Sequence, residues 1–274
     1  MPEQRTFDAP AGALVVHTWE PVGPPTYLVL VAHGYAEHAG RYDHVAERLA
    51  ESGARVVAPD QRGHGRSGGV RSRMLDMDSY AADLLALADA TRAGLPAVPQ
   101  ILIGHSMGGL IAARFAQLWP DRVDGLVLSA PVVGGNPEVF ALADQDPIPD
   151  TPVDPTVLSR DPAVGAAFAG DPLVYRGPYQ RETLAAYRSG VDRVAASGRL
   201  SAVPTLWIHG TADRLAPLEV TRPAIERIKG PRFETIIYPE ARHELFNETN
   251  RDTVLTDLLE FLSRVLAGSP AGAT

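Results

Sequence analysis

Four short segments constrain this chain more than anything else in it. Tyr27-Leu-Val-Leu-Val-Ala32, Ala54-Arg-Val-Val-Ala-Pro59, Gln100-Ile-Leu-Ile-Gly104 and Gly125-Leu-Val-Leu-Ser129 are nearly unbroken apolar runs. A run this short, without polar alternation, fits a strand covered on both faces, which is the habit of parallel sheets flanked by helices. Between the runs, apolar residues recur at helical spacing, as in Val45/Leu49 and Tyr80/Leu84/Leu87. Strand and helix alternate, so the expected class is α/β, with a mostly parallel central sheet flanked by helices. Two later runs, Val203-Pro-Thr-Leu-Trp-Ile-His209 and Phe233-Glu-Thr-Ile-Ile-Tyr238, resume the sheet, and Val254, Leu255, Leu258, Leu259 and Leu262 mark a closing helix.

The alternation breaks after Pro131. Nine of the 24 prolines fall between positions 131 and 178, where fixed φ and missing N–H groups shorten any regular element. Within 181–197, Leu184, Tyr187, Val191 and Val194 share one helical face. Residues 131–200 therefore read as a cap (lid) insertion, and residues 1–130 and 201–268 as one core. Residues 269–274 read as a flexible tail. A chain of 274 residues suits a single domain with such an insertion.

Composition excludes several function classes. A formal net charge of -8 and the lack of any basic run argue against nucleic acid as a partner. Without cysteine there is no disulfide framework, thiol nucleophile or thiolate metal site. No His-Glu-x-x-His, no EF-hand pattern and no helical histidine pair at ligand spacing occurs, so neither a metal nor an organic cofactor is expected. The first ten residues are polar and charged, and no apolar stretch approaches the roughly 20 residues that span a bilayer. The expectation is a cytoplasmic protein with no Sec signal and no membrane anchor.

The chemistry concentrates at Gly104-His-Ser106-Met-Gly108, which follows one of the buried runs and opens the helical stretch up to Leu118. That is the setting of a nucleophile elbow, in which glycines leave room for a serine on a strained strand-to-helix turn. The Met107 amide, at the helix N-terminus, is one expected oxyanion donor. The second is expected from the loop after the first run, where Gly34 lets the Tyr35 amide approach. A serine hydroxyl needs an imidazole to take its proton and a carboxylate to orient that imidazole. The order serine, then acid, then histidine, with each partner just after a later strand, selects Asp213 and His243 from the eight histidines. Of the others, His17 and His44 are expected on exposed faces, His33 and His209 against backbone groups, and His105 shaping the elbow. Glu37 and Arg41, four apart, are spaced for an ion pair that holds the oxyanion loop. Asp60 to Ser67 is expected to be a structural turn network.

The motifs His33-Gly-Tyr-Ala-Glu37-His38-Ala-Gly-Arg41-Tyr42, Asp60-Gln-Arg-Gly-His-Gly-Arg-Ser67, Gly104-His-Ser-Met-Gly-Gly109, His209-Gly-Thr-Ala-Asp213 and His243-Glu together resemble the monoacylglycerol lipases. Leu158-Ser-Arg-Asp-Pro162, Asp171-Pro-Leu-Val174 and Tyr238-Pro-Glu-Ala-Arg-His243-Glu-Leu-Phe-Asn-Glu248 bring the likeness nearest to actinobacterial members. The resemblance implies the α/β-hydrolase fold, cleavage of a monoacylglycerol to glycerol and a fatty acid, and an oxyanion hole at the Tyr35 and Met107 amides. The residues alone reach only a serine hydrolase. A short-chain carboxylesterase, a lysophospholipase or a serine acyltransferase would use the same triad, and a non-catalytic lipid-binding protein could share the fold. Val132, Val133, Phe140, Leu142 and Ile148 in the cap are expected to line an acyl channel, and the cap to make transient contact with a membrane or lipid droplet.

Overall fold

The computed structural model of the chain describes residues 2–268 apart from Pro96 and Thr151, so the tail expected at 269–274 lies outside the described residues. Its strands are β1 (Glu3–Ala9), β2 (Gly12–Trp19), β3 (Tyr27–Ala32), β4 (Ala54–Pro59), β5 (Gln100–His105), β6 (Gly125–Ser129), β7 (Thr205–Gly210) and β8 (Phe233–Tyr238). Its helices are α1 (Asp43–Glu51), α2 (Met77–Arg92), α3 (Met107–Leu118), α4 (Pro137–Ala141), α5 (Pro162–Gly170), α6 (Arg181–Ala196), α7 (Leu218–Ile228) and α8 (Arg251–Ala267). One sheet holds all eight strands in the order β1-β2-β4-β3-β5-β6-β7-β8. Pairing is parallel from β4 to β8, and β2 is antiparallel to both β1 and β4.

Every residue of β3, β5, β6 and β7 is buried, as unbroken apolar runs require. Side chains alternate between two cores on opposite faces of the sheet: Leu28, Leu30 and Ala32 of β3 enter one, and Tyr27, Val29 and Val31 the other. Strand order reverses beside β3, whose partners are β4 on one side and β5 on the other. Such a switch opens a crevice at the carboxyl ends of the two strands, the common place for a ligand in an open α/β sheet.

The N-terminal hairpin was not legible as strand. β1 is mostly exposed and polar, while Leu14 and Val16 of β2 enter the core. This corrects the reading of His17 as exposed: it is 1% accessible, with Nε2 3.3 Å from the Asp60 carboxylate. His44 is also no free surface group, because its Nε2 lies 2.7 Å from the Phe246 carbonyl oxygen. The turn network at 60–67 forms around Asp60, whose carboxylate accepts from the Ala39 amide at 2.9 Å and the Arg66 amide at 2.8 Å.

Between β6 and β7, residues 131–200 contribute no strand among the described residues, only α4, α5, α6 and short 3-10 turns. On α6, Leu184, Tyr187 and Val194 are buried and Val191 is partly so, and the helix packs on α2 and α3. α4 and α5 were not foreseen. Both begin at a proline after an Asn or Asp whose side chain caps the first turn, so these prolines start helices that stay short.

Candidate active site

Ser106 stands between β5 and α3 with φ 53° and ψ -116°, a left-handed conformation rare for a residue with a side chain. Strain of this kind costs roughly 1–3 kcal/mol and persists only where the surroundings fix it. Two fixtures are visible. The Ser106 amide donates to the Ser129 carbonyl of β6 at 2.9 Å. Gly108 brings α3 against the end of β3 so closely that a Cβ there would overlap the Ala32 carbonyl oxygen and stand 2.6 Å from that of His33.

Asp213 and His243 follow β7 and β8, neighbouring parallel strands whose ends pair Gly210 with Tyr238. Asp213 Oδ1 accepts from the Leu215 and Ala216 amides, each at 2.9 Å, and Oδ2 lies 2.8 Å from His243 Nδ1. With Nδ1–H donated to the carboxylate, the basic lone pair of neutral His243 is on Nε2. Burial alone would lower the His243 pKa, but the Asp213 charge, its hydrogen bond, and the charges of Glu244 and Glu37 outweigh burial and raise it. For Asp213 burial works upward, and the charge and hydrogen bond of His243 bring the net value below the ordinary one. Among the described residues no hydrogen bond joins Ser106 Oγ to His243, although both face one cavity.

A second buried histidine supports the acid from behind. Trp207 Nε1–H donates to His209 Nδ1 at 3.1 Å, which leaves the proton of the neutral ring on Nε2. That N–H donates to the Ala216 carbonyl at 2.8 Å and lies 3.5 Å from Asp213 Oδ2. Burial, the largest influence on His209, keeps it neutral by lowering its pKa.

On the opposite side of Ser106 lies the loop after β3. Its Gly34 amide donates to Glu37 Oε1 at 2.6 Å, and the Tyr42 hydroxyl donates to the same oxygen at 2.7 Å. Glu37 Oε2 receives Arg41 Nη1 at 3.0 Å, so the expected pair forms. Burial would raise the Glu37 pKa, but Arg41, His105 and His33 bring it down to about 2. Arg41 also reaches across to Glu244 in a two-pronged contact of 2.5 and 2.7 Å, which ties the β3 loop to the residue after His243. Glu244 was missed as a supporting residue; its only trace in the sequence is adjacency to His243. Among the described residues, the amides of Gly34 and Ser106 have acceptors, whereas those of Tyr35 and Met107 donate to no protein group.

Ser106 and His243 open onto one cavity. Its walls are mainly apolar and come largely from 131–200, including Val132, Phe140, Leu158, Phe168 and Tyr187. Of the five cap residues expected along an acyl channel, Val132 and Phe140 line this cavity. Val133 instead packs into the core, and Leu142 and Ile148 lie outside the cavity wall.

A serine on a strained elbow, a carboxylate-oriented histidine and a parallel sheet carrying both define a serine hydrolase of the α/β-hydrolase class, a carboxylic ester hydrolase. Comparison of the sequence makes the placement narrower: residues 23–250 match the family described as serine aminopeptidase, S33, and the chain belongs to it. It is 36% identical over 273 residues to the monoacylglycerol lipase of Mycolicibacterium smegmatis, covering 94% of this chain and 96% of that protein. It is 33% identical to the human monoglyceride lipase, over 84% of this chain and 79% of that protein. Among solved structures, the monoacylglycerol lipase of Paleococcus ferrophilus superposes with a TM-score of 0.80 at 27% identity, covering 92% of this chain and 99% of that one. Among the described residues no helix is long and apolar enough to cross a membrane.

Proposed function

We propose that this protein hydrolyses monoacylglycerols to glycerol and free fatty acid through an acyl-enzyme on Ser106. The observation that carries the reading is the meeting of Ser106 and His243 at the floor of an apolar cavity, with Asp213 bonded behind the histidine. Ser106 Oγ attacks the ester carbonyl while His243 Nε2 takes its proton, and Asp213 stabilises the imidazolium that forms. The tetrahedral oxyanion accepts hydrogen bonds from the Tyr35 and Met107 amides. His243 then gives its proton to the glycerol oxygen, which leaves. Water, deprotonated by the same imidazole, splits the acyl-enzyme and releases the fatty acid.

The apolar walls suit an acyl chain, and the names of the relatives support a monoacylglycerol as its carrier. Residues 131–200 act in this reading as a cap over the site. Leu142 and Ile148, half-buried and outside the cavity, support a transient contact of that cap with a lipid surface, which liposome flotation tests.

The deciding experiment measures initial rates on a monoacylglycerol series from short to long chains, with di- and triacylglycerols, a lysophospholipid and simple esters alongside. Monoacylglycerols should dominate, and Ser106→Ala should be silent. Faster turnover of lysophospholipid or short simple esters removes the substrate assignment, and an active Ser106→Ala removes the triad.

A further inference from the structure

The Tyr35 ring is held by the cap. It stacks on Tyr179, with ring centroids 4.9 Å apart and planes 9° from parallel. Tyr187 and Tyr175 meet it edge-on at 6.0 and 6.5 Å, and His64 closes a further side at 5.7 Å. Three of these four neighbours belong to 131–200 and none to the sheet. Offset-stacked and edge-to-face contacts of this geometry are favourable beyond simple burial, and four of them together select one ring position.

Two polar ties join the same segments. The Tyr175 amide donates to the Ala36 carbonyl at 2.8 Å, and Ala36 sits at φ 68°, a conformation a non-glycine residue keeps only when held. His38 Nε2 lies 2.7 Å from Asp171 Oδ2. Residues 171–179 thus touch three successive parts of the oxyanion loop: the Tyr35 ring, the Ala36 carbonyl and the His38 ring. The strap is itself braced, because the Tyr175 hydroxyl donates to the Pro178 carbonyl at 2.9 Å.

We infer that residues 171–179 are a positioning strap for the oxyanion hole, with Tyr179 the residue that holds the Tyr35 end of the peptide whose oxygen His33 secures. The inference rests on the assignment of the Tyr35 amide to the oxyanion. Glu37 holds the preceding peptide through the Gly34 amide. The peptide plane between Gly34 and Tyr35 is tied to the core at its oxygen, where His33 Nδ1–H donates to the Gly34 carbonyl at 2.7 Å, and its nitrogen end is left to the Tyr35 side. The Tyr35 Cα lies between that plane and the stacked ring, so the ring position limits where the N–H points. Catalysis by the core then depends on a seated cap even for an ester too small to touch the cap.

The test compares a long-chain monoacylglycerol with p-nitrophenyl acetate for wild type, Tyr179→Leu, Tyr179→Phe and Asp171→Asn. Tyr179→Leu, which removes the ring, should lower kcat for both esters by about tenfold to a hundredfold, with KM for the acetate within about twofold; full loss of an oxyanion donor sets the upper limit at about 10²–10³. Tyr179→Phe, which keeps the ring, should recover most of the lost kcat. Asp171→Asn keeps an acceptor for the Leu173 amide but loses the charge opposite His38, and it should lower kcat for both esters by about twofold to fivefold. If Tyr179→Leu does not fold, Asp171→Asn still decides the question.

Tyr179 and Tyr35 also line the cavity, so a Tyr179→Leu enzyme that raises KM for the long substrate but leaves acetate turnover intact makes lining the cavity the only role of Tyr179 and overturns the strap. So does a Phe variant as slow as the Leu variant. Labelling by a fluorophosphonate, present in wild type and lost in Ser106→Ala, tests the nucleophile separately. If that labelling survives in Ser106→Ala, the site assignment fails; if it behaves as expected and Tyr179→Leu matches wild type, only the strap fails.

Discussion

Replacing Gly108 by alanine inserts a methyl group into the narrowest contact of the site. The new Cβ would overlap the Ala32 carbonyl oxygen, lie 2.5 Å from the Ala32 carbonyl carbon and 2.6 Å from the His33 carbonyl oxygen. All three neighbours are backbone, so no rotamer change relieves the clash; α3 and the end of β3 must part. Overpacking of this kind costs typically about 1–3 kcal/mol. For a domain of this size each kcal/mol lowers Tm by roughly 2–4 °C, which sets the expected drop at about 2–12 °C. The effect on rate should be larger than the effect on stability. The wedge enters between the helix start that carries the Met107 amide and the loop that carries the Tyr35 amide, and it moves the two proposed oxyanion donors apart. A hole that closes on only one donor loses about 10²–10³ in kcat. Steady-state kinetics with a monoacylglycerol, beside thermal unfolding followed by circular dichroism, should show kcat down at least a hundredfold in protein that is still folded at 25 °C. A Gly108→Ala enzyme with kcat within about threefold of wild type would refute the assignment of these amides.

Three further outcomes follow from the buried charges. Because His243 must be neutral to act as a base and its pKa is raised, the acid limb of kcat/KM should reach half its maximum above pH 6.5; Asp213→Asn should move that point down, and a profile centred below 6.5 in wild type contradicts the geometry. Arg41→Met removes the partner of two buried carboxylates, Glu37 and Glu244, and should cost about 3–5 kcal/mol in urea unfolding, while a loss under 1 kcal/mol would mean that the pair is solvated. His105 and His64 are both pushed down to about 3, chiefly by burial, whereas in the unfolded chain they protonate near 6.5. Between those values the unfolded state binds more protons, so stability should fall as pH drops from 6.5 toward 3; Tm measured from pH 7 to 4 should decline, and a flat profile would show these rings to be hydrated.

The sequence disclosed what is periodic and what is ordered along the chain. β3 to β7 were readable because strands covered on both faces have no polar positions to confuse the pattern. That Ser106, Asp213 and His243 come together could be read because each follows a strand, and the fold brings those strand ends to one edge. β1 was hidden because an exposed edge strand has no apolar stripe. His17 was misplaced because β2 lies between two strands with Asp60 against it, a tertiary fact that no local window contains. α5 escaped notice because only Phe168 of its residues is buried, so it carries no helical period of apolar residues. The tyrosine cage around Tyr35 joins residues about 140 or more apart in sequence, and the approach of His209 to Asp213, though local, depends on the turn after β7. Single motifs cannot announce such contacts.

Residues 131–200, the proposed cap, leave the sheet after β6 and return at β7, and those two strands lie side by side. Any insertion whose ends reconverge could in principle be spliced there without disturbing sheet order, which makes this junction a natural place for lineages to exchange specificity. The contacts of Asp171, Tyr175 and Tyr179 with the β3 loop restrict that freedom. A transplanted cap must bring its own grip on residues 35–38, or the recipient acquires a new pocket above a hole it can no longer aim. Chimeras that bind their new ester well and turn it over slowly are the expected signature of that omission.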